Sequence, residues 1–339
     1  MATAVEWCQY LTLRVLSSVV HCFNVNENMR TVAAFGSVYA RLSKRRRERA
    51  EENIRISFPK LNEDEIKGLA EESIRNMFQL FAVDSLAMPR LLGQRTWPEK
   101  VRVGTMNQVV PMLVREEPAI FITGHTGNWE LLGYLLSLLG FKLTVLARPI
   151  DNPLINKWLL DLRQTHGMQV MTKFGATNEI DRIIQDGGRV GFIADQNAGD
   201  KGLFVPFLGR MASSYKSIGL LAMRHQVPVI VGYAKRTPGQ FDYTLIAADI
   251  IHPEDWQNHP HPLFYITARF NRAIEQMIRM APEQYLWVHR RWKSRPKWER
   301  DGKPMPKHVI EMLKTLPWMT PTVLQQLIQR SEPSPGMTT

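Results

Sequence analysis

The chain has 339 residues, 44% hydrophobic and 22% charged, with a formal net charge of +11. That composition allows a full hydrophobic core and excludes wholesale disorder, while the basic balance points to acidic partners such as headgroups, nucleic acid, phosphorylated substrates or a carrier protein. Two cysteines, Cys8 and Cys22, exclude a disulfide framework, and nine histidines without a His-Glu-x-x-His pattern leave no metal and no cofactor expected.

Residues 5–23 are apolar but broken by Glu6, Arg14 and His21. They fall short of the roughly 20 uncharged residues of a membrane span. No cleavage motif marks a secretory signal. An interfacial helix carrying Trp7, Tyr10, Leu13 and Val20, or an ordinary packed helix, fits the stretch equally. The periodicity then predicts helices over 34–58, stopped by Pro59, and over 62–88, capped by Asn62. Inside the first lies "KRRRER" (44–49), a solvated face that would also suit an anionic bilayer.

From residue 118 apolar strands alternate with amphipathic helices. Strands are expected at 119–124, 142–148, 169–173, 189–195 and 227–235, with 242–249 as an antiparallel neighbour of the last. Helices are expected at 128–140, 153–167, 177–188, 217–226 and 263–286, and a glycine-rich apolar loop after Gln196. His259 and His261 fall in a proline-broken loop. The pattern is that of an α/β fold, a mostly parallel mixed sheet flanked by helices. We divide the chain into a hydrophobic, interfacial helical segment (1–43), the main α/β domain (44–315), and a C-terminal helix with a disordered tail (316–339).

Sites in such sheets form beyond the carboxyl ends of strands. "FITGHTGNWE" places His125 in the turn after a strand and Glu130 in the first turn of the next helix. With nine histidines and 32 acids, about one His-x-x-x-x-acid pair is expected by chance, so position matters more than spacing. Imidazole beside a carboxylate is what a general base needs. Gly124 and Gly127 would leave room for substrate, and the helix N-terminus would favour an oxyanion. No serine or cysteine stands beside the pair. The chemistry suggested is that His125, oriented by Glu130, takes a proton from an acceptor hydroxyl that attacks an activated carbonyl. Arg148, Arg163, Asp195 and Gln196 lie at neighbouring strand ends or on the following helix.

Four blocks, "GHTGNWE", "RPIDNP", "DQ" followed by "PFLG", and "PEQYLWVHRRWK", stand in order between residues 45 and 296. Together they resemble the bacterial lipid A biosynthesis acyltransferases, within the wider superfamily sharing a His-x-x-x-x-acid motif. The resemblance implies a glycerol-3-phosphate acyltransferase-like fold. It implies acyl transfer from a thioester on acyl carrier protein or coenzyme A to a hydroxyl of a glycolipid such as a lipid A precursor. The setting implied is the cytoplasmic face of the inner membrane, reached peripherally or through a single N-terminal anchor. It makes His125 and Glu130 the dyad and Arg163 catalytic or carbonyl-positioning. Substrate-binding roles fall to Gly124, Gly127, Asn128, Arg148, Asp195, Gln196, Arg290 and Arg291. Two departures stand out: the N-terminal segment is charge-broken where the family has a clearer span, and "PFLG" replaces a double aromatic, which would alter the acyl pocket. An acyltransferase acting on another polar lipid, a non-catalytic basic lipid-binding protein, or a nucleic-acid binder using Trp292 and Trp298, is the alternative. The chain has no recognisable nucleic-acid-binding motif, and no nucleic acid is expected as partner.

Overall fold

The N-terminal third is helical because its apolar residues recur at helical spacing. The computed structural model describes residues 2–147, 149–164, 167–172 and 176–331. Helix α1 (Ala4–Cys22) opens on a capping box between Thr3 and Glu6. Helices α2 (Val25–Leu42) and α3 (Lys44–Ser57) are separate, where the sequence pattern predicts one. The break is at Ser43, which leaves helical geometry while its N–H still reaches Tyr39 O at 2.8 Å. Helix α4 (Glu63–Gln79) starts at Asn62, whose side chain accepts from the N–H groups of Asp64 and Glu65. It continues through a π-helical turn, Leu80–Asp84, into α5 (Ser85–Leu91). In that turn the buried Asp84 meets Arg236 at 2.9 Å.

Among the described residues no helix is long and apolar enough to cross a membrane. Helix α1 lies on the protein instead. His21 Nε2 donates to Leu86 O at 3.0 Å, and Asn152 donates to Glu6 O at 3.0 Å. Its outer side leaves Val5, Leu11, Val15, Leu16, Val19 and Phe23 exposed.

The alternating region opens with β1 (Val101–Val103), α6 (Val109–Val114), β2 (Ala119–Thr123) and α7 (Trp129–Leu138). Next come β3 (Thr144–Ala147), α8 (Pro153–Gln164), β4 (Gln169–Thr172), α9 (Ala176–Gln185) and β5 (Arg189–Ile193). After a hairpin, β6 (Leu203–Phe207) and β7 (Arg210–Ser214), follow α10 (Lys216–His225), β8 (Val229–Arg236) and β9 (Tyr243–Ile251). Two further helices are α11 (Pro253–Trp256) and α12 (Pro262–Met280). The chain closes with α13 (Lys297–Arg300), α14 (Lys307–Lys314) and α15 (Pro321–Ser331). The tail from 332 on, expected to be disordered, lies outside the described residues.

The sheet has seven strands in the order β1-β9-β8-β2-β5-β3-β4. Strands β8, β2, β5, β3 and β4 run parallel, β9 is antiparallel to β8, and β1 runs parallel to β9. The central strand β2 is buried throughout because helices cover both faces. Ile120 and Ile122 pack in one cluster with Ile274 of α12, while Ala119 and Phe121 pack in the other with Leu131 and Leu135 of α7. Each fully buried isoleucine or leucine contributes about 2 kcal/mol of transfer free energy. Leu131, Leu135, Leu136 and Leu138 of α7 are therefore core residues.

Two expectations change here. The stretch after Gln196 is not wholly loop: β6 and β7 form a hairpin, turned by Leu208 and Gly209 at φ 50° and 77°. Phe207 and Leu208 are fully buried, so "PFLG" is part of the hairpin and the core. The long C-terminal helix stops at Met280 rather than reaching Leu286, because Pro282 lacks the donor to continue it. Residues 282–289 are thereby freed to run back to the loop after β2.

Candidate active site

Parallel pairing of β2 with β5 sets Thr123 opposite Ile193, and Ala194 N donates to Thr123 O at 2.9 Å. His125, two residues beyond β2, and Asp195, two beyond β5, consequently leave the sheet side by side. Asp195 is fully buried. Its Oδ2 accepts from the His125 backbone N–H at 2.9 Å, and its Oδ1 lies 2.7 Å from His125 Nδ1. Burial by itself would raise this carboxyl. The His125 charge, its side-chain and backbone donors and nearby His289 outweigh burial and hold it well below the usual carboxylate range. An ionised carboxylate only accepts, so Nδ1 carries the hydrogen and Nε2 presents its lone pair. That nitrogen lies 3.4 Å from Gln196 Nε2, and the His125 ring packs edge-on to Trp129 with centroids 4.9 Å apart.

The spacing in "GHTGNWE" points to Glu130 as the partner of His125; the structure puts Asp195 on the ring. Glu130 instead takes Arg163 of α8 in a two-pronged pair, with Nε–Oε2 2.8 Å and Nη2–Oε1 2.5 Å. Four residues separate His125 from Glu130, and α7 begins between them at Trp129. Glu130 thus enters on the first turn of α7 and faces α8. Helix α8 is held from below by Asn152, which caps its first turn and also donates to α1.

The other expected site residues divide. Gly127 has φ +60°, and a Cβ there would stand 2.3 Å from Ala234 O, while a Cβ on Gly124 would stand 2.9 Å from Ile274 Cγ2. The room these glycines leave is therefore filled by protein, not substrate. Asn128 is buried and caps α7 by accepting from Leu131 N at 2.9 Å. Arg291 is likewise interior, 1% exposed, donating to Ser213 O, Ser214 Oγ and Asn271 Oδ1. These three features build the site's walls rather than a ligand surface. Gln196 and Arg290 are exposed, and Arg148 lies outside the described residues.

The second imidazole of the site is His289, whose ring stands 4.4 Å from His125 centroid to centroid. It sits within the "PEQYLWVHRRWK" block, where the sequence gives it no site role of its own. Helix α3 holds it in place: Asn53 Nδ2 donates to Trp287 O and His289 O at 2.7 and 2.9 Å, and Arg49 to Val288 O at 3.3 Å. Arg49 and Asn53, four residues apart on one helical face, are a signal the sequence carried unread. Leu286 N donates to His125 O at 2.9 Å, tying the same segment to the loop after β2. His125, Asp195 and His289 each bring one ligand-type atom within 4.8 Å of the others. The two bonds between His125 and Asp195 already engage both carboxylate oxygens.

Burial, and then His125, lower the His289 imidazole from 6.5 to about 4, against the opposing pull of Asp195. The unfolded ring takes up a proton near its ordinary value, and the folded ring refuses it until about pH 4. Its contribution to stability is complete above about pH 7 and is lost as the pH falls toward 4. Between pH 7 and 5 this amounts to about 2 kcal/mol, and His289→Phe should flatten the curve across that window. Equal slopes for the two proteins in denaturant titrations would contradict it. The Asp195 contribution, from a depressed carboxyl, is lost only below about pH 4.

Residues 2–294 match the family model described as bacterial lipid A biosynthesis acyltransferase. The chain is 24% identical to the lipid A biosynthesis lauroyltransferase of Escherichia coli (strain K12), over 86% of this chain and 92% of that one. It is 25% identical to the palmitoleoyltransferase of the same organism, over 75% and 80%, and 22% identical to its myristoyltransferase, over 78% and 80%. A strand-end histidine on a buried carboxylate, a glutamate–arginine pair on the first turn of the following helix and a family match over nearly the whole length agree: the chain is an acyltransferase and belongs to the bacterial lipid A biosynthesis acyltransferase family.

Proposed function

We propose that the protein transfers a fatty acyl chain from an acyl thioester to a hydroxyl of a lipid A-type glycolipid at a membrane surface. The observation that carries this reading is the His125–Asp195 pair, with Nδ1 on a buried carboxylate and Nε2 free to take a proton. Nε2 would remove the acceptor's hydroxyl proton, the oxygen would attack the thioester carbonyl, and the proton would pass on to the departing thiolate. Arg163, held by Glu130, would place positive charge beside the reacting carbonyl.

The surroundings suit such substrates. Phe81 is exposed and packs edge-on to Trp129, 6.0 Å away, giving an apolar surface next to the His125 ring. The exposed apolar side of α1, with Phe35, Val38 and Leu42 of α2, would enter a headgroup layer. Arg45, Arg46 and Arg290 lie near Arg49, whose guanidinium is lowered first by burial and then by these like charges. Such a cluster favours a phosphorylated acceptor or an acidic donor carrier.

Mass spectrometry of membrane lipids tests the reading. Cells expressing the chain should contain a lipid A species heavier by one acyl group than cells lacking it, and His125→Ala should remove that species. An unchanged lipid profile across all three would refute it.

A further inference from the structure

Acyl transfer with His125 as base leaves the His289 ring without a part. The ring stands 4.4 Å from His125 at 75°. Its Nδ1 is buried without a hydrogen-bond partner among the described residues. Packing does not account for it. An apolar ring would fill the space without burying a polar nitrogen, which costs about 1–3 kcal/mol when left unpaired. An unmet buried polar group calls for an explanation, and beside a candidate base a catalytic contact is one.

The tautomer follows from the same facts. A buried N–H without an acceptor is rarer and more costly than a buried lone pair. The hydrogen therefore sits on Nε2, as a donor. The two rings can meet one reacting centre, because a ring nitrogen of each histidine lies within 4.8 Å of the other.

We propose that His289 is a further catalytic residue: its Nε2–H donates to the thioester carbonyl oxygen as that oxygen becomes an oxyanion. The inference rests on the acyl-transfer reading. His125 Nε2 takes the acceptor's hydroxyl proton while the hydroxyl oxygen bonds to the carbonyl carbon. The carbonyl π pair moves onto its oxygen, where His289 holds it. On collapse the C=O re-forms, the C–S bond breaks, and the thiolate receives the proton from His125. A neutral donor suits this place, because a cationic His289 would repel the imidazolium that His125 becomes. Burial and His125 keep His289 neutral at physiological pH, so the two rings divide the work between base and donor.

The test uses the full chain in detergent, with dodecanoyl acyl carrier protein and dodecanoyl-coenzyme A in parallel as donors and a lipid A precursor as acceptor. His289→Phe and His289→Ala should lower kcat about 100-fold with KM little changed, the scale of losing one oxyanion donor. His289→Gln, which keeps an N–H, should recover about tenfold of that. The acid limb of the kcat/KM profile should stay where it is in the wild type. Wild-type kcat in His289→Phe would overturn the proposal. So would an equal loss in all three variants that appears in KM or in the melting temperature. His125→Ala separates the two levels: if it transfers normally, the acyl-transfer reading fails. If it is inactive while His289→Phe is fully active, only the role of His289 falls.

Discussion

Asp195→Asn should lower acyl transfer about as far as His125→Ala, on the order of 10⁴-fold in kcat. The aspartate both fixes the ring and selects its tautomer, through the 2.7 Å contact with Nδ1. Asparagine would keep the shape but could turn an amide N–H toward Nδ1. The hydrogen would then move to Nε2, and the base would have no lone pair to offer. The double variant His125→Ala/Asp195→Asn should be no worse than either single one, since the two act as a unit. Initial rates with saturating donor decide the matter. Near wild-type turnover in Asp195→Asn, with a collapse in Glu130→Gln, would return the orienting role to Glu130.

Arg163→Ala is expected to cost 10²- to 10³-fold in kcat, the scale of removing a positioned charge from a developing oxyanion. Lysine should not replace it, because the pair with Glu130 uses two guanidinium nitrogens at 2.8 and 2.5 Å, a fork that an ammonium cannot copy. Glu130→Ala should cost nearly as much as Arg163→Ala, and the double variant no more than Arg163→Ala, because the glutamate acts by holding the arginine. Both side chains are partly solvent-exposed, so the folding cost should be small, about 0–1 kcal/mol. A melting temperature that falls in step with the rate would show a structural role instead. Additive losses in the double variant would show that the two act separately.

Several elements were legible in the chain before its structure. Alternation of apolar strands with helices identified the sheet, and the stretch 242–249 was legible as the antiparallel neighbour of β8. Asn62 marked the start of α4 by the chemistry of its own side chain. The hairpin of β6 and β7 was not legible, because its turn places Leu208 in a left-handed conformation that leucine rarely adopts. Nor was the break at Ser43 or the early end of α12 before Pro282, since helical periodicity on either side hides where packing stops a helix.

His125, its turn and the strand before it were determined by the sequence alone, for these depend on neighbours along the chain. Its partner was decided only by tertiary structure. Asp195 lies seventy positions away, and it reaches His125 because two parallel strands are in register and end together. Glu130, nearer in sequence, is carried by α7 toward Arg163. His289 arrives beside the base through a segment clamped by α3, from the opposite end of the chain. Spacing along a chain records local geometry, whereas a buried carboxylate and a second imidazole are assembled by strand register and helix packing.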